Sequence, residues 1–225
     1  MKPLSLLLFI SSFSYSIDTF CNEVSKTQIK YKGYIEIGLS RNIKDLNWNT
    51  TEISDNQMDI KHCSDIANSL LSFKSFINAK TVNGVFINNK YFTGISLGVE
   101  QFKGECFQTP INFFFIPIGV DAKIYFSKGQ FRPFVSICAG RNLLSTAKKT
   151  EYFPDYSIDK IKSDNFIQPL IGFQILGSRT KNRIFTFNIG CKFQKVRTRF
   201  IHPNNDWFLA KSNLNLLTIN FGYSF

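Results

Sequence analysis

Apolar and polar residues alternate strictly along most of the chain. In the stretch 91–102, Ile95, Leu97 and Val99 share one face of an extended strand, and the residues between them are small or polar. A two-residue period is typical of β-strands, whereas the 3.6-residue period of an amphipathic helix is almost absent here. The pattern therefore predicts an all-β protein.

The alternating segments are long for strands. Eight of them follow one another, each about ten to twelve residues in length, although Lys80 and Asn83 leave the faces of 76–87 unassigned. Strands of soluble sandwiches usually have about five or six residues, and about ten residues tilted by about 45° cross a bilayer. Strand length thus favours a transmembrane barrel.

Short and long connectors alternate between the predicted strands. The even-numbered connectors are short and the odd-numbered ones longer: 88–90, 127–130 and 177–182 against 43–71, 103–112, 144–163 and 199–211. Outer-membrane barrels place tight turns in the periplasm and longer loops outside the cell. We expect an eight-stranded antiparallel up-and-down transmembrane β-barrel with a filled interior and both termini in the periplasm.

The composition excludes other architectures. Hydrophobic residues make up 44% of the 225 residues and the mean hydropathy is −0.07. No apolar run of about eighteen residues follows the N-terminus, which excludes a polytopic helical membrane protein. The chain has 25 Phe but 2 His, so aromatic bulk favours strands and a His-rich metal site is not expected. We predict no cofactor.

The N-terminus has the pattern of an export signal. A basic start precedes the apolar run 4–10, and Ser14 and Ser16 are small residues suited to a cleavage site. About ten apolar residues are too few to cross a bilayer as a helix. We expect export to the cell outer membrane with three regions: a cleaved signal peptide at 1–16, a periplasmic segment at 17–30 and a barrel domain at 31–225.

The polar faces of the predicted strands combine small residues with a balanced set of charges. Three acidic and three basic residues are expected to form an ion-pair network in the lumen: Glu36, Glu100, Asp121, Lys123, Arg132 and Lys192. An eight-stranded barrel has room for side chains and little else, so we expect no general-diffusion pore. A catalytic carboxylate pair of Glu100 and Asp121 is the alternative, but it needs an open cleft.

Aromatic residues near the strand ends predict two interfacial girdles. The girdle beside the short turns would contain Tyr31, Tyr91, Tyr125, Phe126, Phe131, Phe185, Tyr223 and Phe225. The girdle beside the long loops would contain Phe102, Phe113, Phe114, Phe166 and Phe193.

The chain closes with Asn-Phe-Gly-Tyr-Ser-Phe, an alternating strand that ends in an aromatic residue. In this feature, and in the segments 91–100 and 116–123, the chain resembles the small eight-stranded outer-membrane β-barrel proteins of Gram-negative bacteria, the porin-superfamily "outer membrane protein β-barrel domain" family. The resemblance implies an assembly signal read by the barrel-assembly machinery: Ile219, Phe221, Tyr223 and Phe225. It carries over no catalytic or ligand-binding residue.

The charge points to the membrane surface rather than to nucleic acid. Lys and Arg number 27 against 16 Asp and Glu, a net charge of +11. The cations neither cluster on a helix nor interleave with exposed aromatic residues, and export removes nucleic acid as a partner. Arg197, Arg199 and Lys211 are candidate contacts to lipopolysaccharide phosphates. Outer-membrane lipids and lipopolysaccharide are therefore the predicted partners of a structural or surface-binding protein.

Three other functions stay open on sequence grounds. His202, oriented by Asp206, is the candidate base of a lipid-modifying enzyme, but no Ser stands at a suitable spacing and we expect no enzymatic activity. The long loops are candidates for host or phage contact through Trp48 and Trp207, because aromatic rings often anchor interfaces. Small-ligand binding or transport through the barrel is the third.

The five Cys contain no CxxC pair, so the spacing of a zinc ribbon is absent. Export to an oxidising compartment permits disulfides. Cys63 and Cys106 lie in separate polar loops and are the one pair considered for a bridge, which the sequence leaves open.

Overall fold

The computed structural model describes residues 28–43, 47–54, 59–106, 109–146, 150–151, 157–177, 184–202 and 204–224. Eight long strands form a closed antiparallel up-and-down barrel, and two short strands and a helix are added to it. In chain order the elements are β1 (Ile29–Asn42), β2 (Asn49–Ile53), α1 (Ile60–Leu70), β3 (Leu71–Ile87), β4 (Tyr91–Cys106), β5 (Thr109–Tyr125), β6 (Phe131–Thr146), β7 (Thr150–Glu151), β8 (Ser157–Leu176), β9 (Ile184–Ile201) and β10 (Trp207–Ser224).

The barrel closes where β1 pairs with β10. Tyr34 lies opposite Ser224 at one end of this ladder, and Asn42 lies opposite Leu216 at the other. Beyond Leu216, β2 replaces β1 as the pairing partner of β10, along the four residues from Lys211 to Phe208. Closure pairs the backbone groups that the first and last strands would otherwise expose.

The strands are longer than the sequence pattern predicted. They contain 14 residues in β1 and 20 in β8, and not about ten to twelve. The connector expected at 103–112 is largely a hairpin, since Lys103 pairs with Asn112. The connector expected at 43–71 contains β2 and α1. Strand pairing continues there because backbone hydrogen bonds do not require an apolar outer face.

The two ends of the barrel differ in their connectors. At one end, called the turn end, the connections are short and include the turn 88–90, where Asn88 and Asn89 have φ of 54° and 53°. Asn tolerates this left-handed backbone, which a tight hairpin turn needs. The other end, called the loop end, carries β2, α1 and β7.

The barrel is apolar outside and charged inside. Ile95, Val120 and Ile171 on the outer wall are 64%, 57% and 61% exposed, whereas Glu36 and Asp121 inside are fully buried. A soluble β-protein shows the opposite distribution. The predicted faces of the strands are confirmed. In β3, whose faces the sequence left unassigned, Val82 lies on the inward face.

Side chains fill the interior in three layers. An aromatic layer near the turn end contains Tyr34, Val82, Phe86, Phe92, Tyr125 and Phe134. A charged layer follows in the middle. An apolar layer at the loop end contains Trp48, Cys63, Ala67, Phe76, Phe102, Phe113, Phe115, Ile158, Ile161, Val196, Phe200, Phe208, Ala210, Leu214 and Leu216.

These layers correct the predicted girdles. Tyr125, Phe102, Phe113 and Phe166 are buried inside the barrel, because each falls on the inward face of its strand. Eight of the other aromatic residues are exposed on the outer wall: Tyr31, Tyr91, Phe126, Phe131, Phe185, Tyr223, Phe114 and Phe193. Phe225 lies outside the described residues.

Two glycines lie opposite each other on neighbouring strands and add no side chain to the narrow lumen. Gly119 of β5 lies directly opposite Gly140 of β6. A Cβ added at Gly140 would lie 2.1 Å from the carbonyl oxygen of Ile118 and 2.6 Å from the Cα of Gly119. Those atoms are backbone and cannot move aside, so only Gly fits this position.

Helix α1 packs onto the apolar layer at the loop end through Cys63 and Ala67. Asp59 caps its first turn by accepting a hydrogen bond from the Lys61 N–H at 2.9 Å. Asn68 on α1 accepts from the Trp48 N–H at 2.7 Å and donates to the Trp48 carbonyl at 3.2 Å. Trp48 is fully buried, so the prediction that it contacts an external partner is wrong. Among the described residues no helix is long and apolar enough to cross a membrane.

Candidate functional site

Four charged side chains from three strands meet in the middle of the lumen. Lys123 Nζ lies 3.1 Å from Glu36 Oε1, and Lys80 Nζ lies 3.0 Å from Glu36 Oε2. Both ammonium groups also approach Asp121, at 3.9 Å from Lys123 and 3.6 Å from Lys80. Two carboxylates thus face two ammonium groups, and the cluster is neutral.

Hydrogen bonds and aromatic rings extend this lumen cluster. Asn188 donates to Glu36 Oε1 at 3.4 Å and accepts from the Asn220 side chain at 2.6 Å. The Lys123 ammonium lies 4.1 Å from the centroid of the Tyr34 ring, where a cation–π interaction stabilises the charge. These contacts replace part of the hydration that the charged groups lose on burial.

A second ion pair lies in the lumen. The Lys192 ammonium donates to a carboxylate oxygen of Glu100, and it lies 4.3 Å from the centroid of the Phe166 ring. Glu100 and Lys192 therefore neutralise each other.

The membership of the predicted network needs two corrections. Arg132 does not join it, because its guanidinium donates to the backbone carbonyls of Gly129 at 3.0 Å and Lys128 at 3.2 Å near the turn end. Lys80 takes its place, and the sequence reasoning missed it because the faces of β3 were unassigned. An inward Lys80 follows once Val82 and Phe86 are both placed inside. The structure brings the other five residues into the two ion-paired groups.

The cavity that the described residues form beside these charges is far smaller than a ligand site. The cavity next to Lys80, Glu100 and Cys138 has a volume of about 20 Å³, which is room for a single water molecule. Glu100 and Asp121 each pair with lysines, so the arrangement is that of an ion-pair network and not of two free carboxylates. Among the described residues, no group of three or more His, Cys, Asp or Glu is placed to hold a metal ion.

A basic groove lies on the outer wall near the loop end. It has a volume of about 850 Å³ and lies beside the bulge in the β8–β9 pairing that follows Ser163. Arg141, Lys195 and Arg197 line it, and its single acidic residue, Asp164, pairs with Arg197. A smaller adjoining depression of about 210 Å³ adds Lys211, Asn47 and Asn49.

Apolar residues border the same groove on the side of the turn end. Ile167 lies directly opposite Phe193, and these side chains are 44% and 45% exposed. Lys211 lies directly opposite Arg197 on the neighbouring strand. The groove thus places cations next to an apolar wall, as binding of an anionic amphiphile requires.

The other predicted phosphate contact, Arg199, has a different surrounding. Its guanidinium lies 4.5 Å from the centroid of the Trp207 ring and 3.8 Å from the Asp159 carboxylate. Arg199 does not line the groove. Trp207 is half-buried beneath it, which leaves less of the ring for an external partner than the sequence suggested.

His202 belongs to a loop turn. Its backbone N–H donates to the Asp206 carbonyl at 2.8 Å, and its Nδ1 accepts from the Asn204 N–H at 3.3 Å. Asp206 therefore contacts His202 through backbone atoms. The turn geometry accounts for the spacing of these two residues.

Cys63 is a free thiol buried on the inner face of α1. Burial, together with the negative charge of Asp59, raises the pKa of the Cys63 thiol. The structure therefore does not contain the bridge from Cys63 that the sequence left open. Cys138 and Cys191 are also free.

Three residues of the predicted assembly signal share the outer wall of β10. Ile219, Phe221 and Tyr223 are 36%, 62% and 37% exposed. The fourth, Phe225, lies outside the described residues. The outward face of β10 is therefore accessible near the C-terminal end of the strand.

The fold and the buried network define a closed eight-stranded barrel that is apolar outside and charged inside. Its fold is similar to that of solved structures. OprG, an outer membrane protein from Pseudomonas aeruginosa, matches with a TM-score of 0.55 at 10% identity, covering 86% of this chain and 95% of OprG. This similarity supports the fold alone.

Two further structures align at lower scores. The transport unit of the autotransporter AIDA-I from Escherichia coli has a TM-score of 0.33 at 9% identity, covering 87% of this chain and 89% of that unit. The outer membrane channel DcaP of Acinetobacter baumannii has a TM-score of 0.20 at 9% identity, covering 88% and 97%. No family model matches this chain. No curated protein matches it either.

Proposed function

We propose that this chain is an integral β-barrel of the bacterial outer membrane. The observation that carries the proposal is the inverted polarity of the wall, with large apolar residues exposed on every long strand while Glu36, Asp121 and Lys123 are buried. Water would penalise this surface, whereas hydrocarbon stabilises it. Unpaired strand edges cannot lie in a bilayer, and the closure of β1 on β10 leaves none between them.

Heat-modifiable mobility in gels tests the barrel in its membrane form. The protein is purified from outer-membrane fractions and compared before and after boiling. We expect the unboiled sample to migrate faster, because a closed barrel stays folded in detergent. Identical mobility of the two samples, or recovery of the protein in the soluble periplasmic fraction, would contradict the proposal.

The proposed role of the barrel is to bind anionic lipid at the outer surface without catalysis. The groove described above presents three cations, with Lys211 adjoining, against one acid. Charge-assisted hydrogen bonds from Arg and Lys suit the phosphates of lipopolysaccharide, while the neighbouring Ile167 and Phe193 suit acyl chains. Arg197 and Lys211 are central to this role, and Arg199 contributes from beside Trp207.

A pair of matched double variants tests lipid binding. Lys195→Gln with Arg197→Gln removes two cations from the groove. Arg41→Gln with Lys103→Gln removes the same two charges from exposed loop-end positions outside it. We expect the first variant to retain less lipopolysaccharide after purification in mild detergent, and the second to match the wild type. Equal retention by all three proteins would reject the groove as the binding site.

The filled interior supports a barrel that does not conduct. The lumen contains the neutral charge cluster between two packed layers, and the cavity beside it holds about one water molecule. In planar bilayers we therefore expect no steady ion conductance. Stable conductance steps would favour the alternative of small-solute transport through the barrel.

A further inference from the structure

The turn end of the barrel opens into a concave mouth of about 550 Å³. Four cationic side chains line this mouth: Lys30 and Lys32 of β1, Lys128 of the turn, and Arg132 at the start of β6. Small-molecule pockets have volumes of about 300–1,000 Å³, so the mouth has the size of a ligand site. It lies at the opposite end of the barrel from the groove.

The acidic residues that the structure describes do not balance these four charges. None of the described residues that line the mouth is acidic. The lumen carboxylates Glu36 and Asp121 are already paired with lysines, and the aromatic layer that includes Phe92 and Phe134 belongs to the part of the lumen nearer the mouth. The remaining acidic residues that the structure describes are Glu100 in the lumen and those at the loop end. The sequences of the turns 88–90, 127–130 and 177–183 contain no Asp or Glu.

The cations are held close together although they repel one another. Lys30, Lys32, Lys128 and Arg132 share the lining of one mouth, so their like charges repel one another. Arg132 is fixed by its two hydrogen bonds to backbone carbonyls of the turn, so it cannot swing into solvent without losing them. An anion placed between these groups would relieve the repulsion and find donors already oriented.

The floor of the mouth supplies both apolar and polar contacts. Phe86 and Ile184 are buried there, and Gln174 lies among them on the inward face of β8. Asn89 and Gln130 border the rim. Amide groups of this kind can donate to an anion beyond the four charges.

We propose that this mouth binds a small anion that carries two or more phosphate or carboxylate groups. Four cations without a counter-charge favour a multiply charged ligand over a monovalent one. The site faces the periplasm if the barrel has the proposed orientation, but its chemistry does not depend on the lipid groove.

Calorimetric titration with inorganic pyrophosphate tests the site on the full chain in a nonionic detergent at low ionic strength. We expect binding to the wild type that weakens by about tenfold or more when Lys32→Gln and Arg132→Gln are combined, since hydrogen bonds to charged groups are lost. Heat-modifiable mobility verifies that the variant still folds. Absence of measurable binding to the wild type would overturn the proposal.

Lys90→Gln is the matched control for diffuse electrostatics. Lys90 is a cation of the same barrel end, but its ammonium lies 5.3 Å from the centroid of Tyr91, which is exposed on the outer wall. We expect this variant to change pyrophosphate affinity by less than about twofold at a matched ionic strength. A loss as large as in the mouth variant would overturn the site. The groove variant of Lys195 and Arg197 should bind pyrophosphate like the wild type, which separates the two proposals.

Two further arms identify the source of the anion. Loss of pyrophosphate binding in phosphatidylglycerol nanodiscs, with retention in phosphatidylcholine nanodiscs, would support the anion site and assign it to lipid headgroups. Retention of binding in both kinds of nanodisc would support a soluble ligand.

Asp18→Asn with Glu23→Gln removes the acids of the segment that precedes β1. Tighter pyrophosphate binding by that variant would overturn the proposal, because the chain itself would occupy the mouth.

Discussion

Lys123 and Glu36 form an ion pair at 3.1 Å inside the barrel, where their residues are 2% and 0% exposed. They lie on β5 and β1, strands that are not neighbours in the sheet, so the pair spans the lumen. Desolvation of both charges is costly, and it is offset only because Lys80, Asp121 and Asn188 complete the network. Removal of one partner should therefore destabilise the barrel by more than the intact ion pair stabilises it.

Lys123→Met should destabilise the barrel strongly. The variant leaves two lumen carboxylates facing Lys80 alone, and an uncompensated buried charge costs about 3–5 kcal/mol. The unfolding midpoint in urea, followed by the loss of heat-modifiable mobility, measures this. Lys90→Met, which removes an exposed lysine, should change the midpoint little.

The double variant Glu36→Gln with Lys123→Met checks the cause of that destabilisation. It restores charge balance in the lumen cluster, so it should be more stable than Lys123→Met alone. A double variant that is no more stable than Lys123→Met alone would show that the lost packing of the Lys123 stem, and not the unpaired charge, dominates.

Trp48→Ala should also weaken the barrel. Trp48 is fully buried in the apolar layer at the loop end, so truncation leaves a cavity and costs about 3–5 kcal/mol. Trp207→Ala is the matched control, because Trp207 is only half-buried and its ring lies against the Arg199 guanidinium. Urea midpoints that fall equally in the two variants would contradict the inward packing of Trp48.

Val120→Arg tests whether the apolar outer wall faces lipid. Val120 is 57% exposed near the middle of β5, and an Arg there should destabilise a bilayer-embedded barrel by about 2–4 kcal/mol. Tyr31→Arg, near the turn end, should cost about 1 kcal/mol or less because it lies at the interface. Unfolding from liposomes measures both, and a neutral Val120→Arg would indicate a wall that faces water.

Cys63 should react slowly with iodoacetamide while the barrel is folded. Burial raises the pKa of its thiol, so at a given pH less reactive thiolate is present than for an ordinary Cys, and the rate keeps rising to higher pH. Peptide mass spectrometry reports the modified fraction. Ser69→Cys, exposed on the same helix, should react faster. A Cys63 that reacts only after reduction would indicate a disulfide.

Alternation along the chain was sufficient to predict the closed antiparallel barrel and the inward faces of most strands. It was sufficient because the two faces of a strand lie in different environments. The two-residue period of the sequence therefore shows which residues share a face. β3 was the exception, since Val82 and Phe86 point inward and Thr81 and Asn83 point outward. An apolar layer in the lumen reverses the usual polarity there, and sequence alone does not indicate where such layers lie.

The sequence by itself determined the architecture, the neutral charge balance of the lumen and five of the residues in its ion pairs. Only the tertiary structure decided that Lys80 replaces Arg132, that Trp48 and α1 pack into the loop end, and that Lys32 and Arg132 border one mouth. The physical reason is that strand faces follow from local periodicity, whereas contacts across a lumen depend on register, tilt and side-chain reach between distant strands.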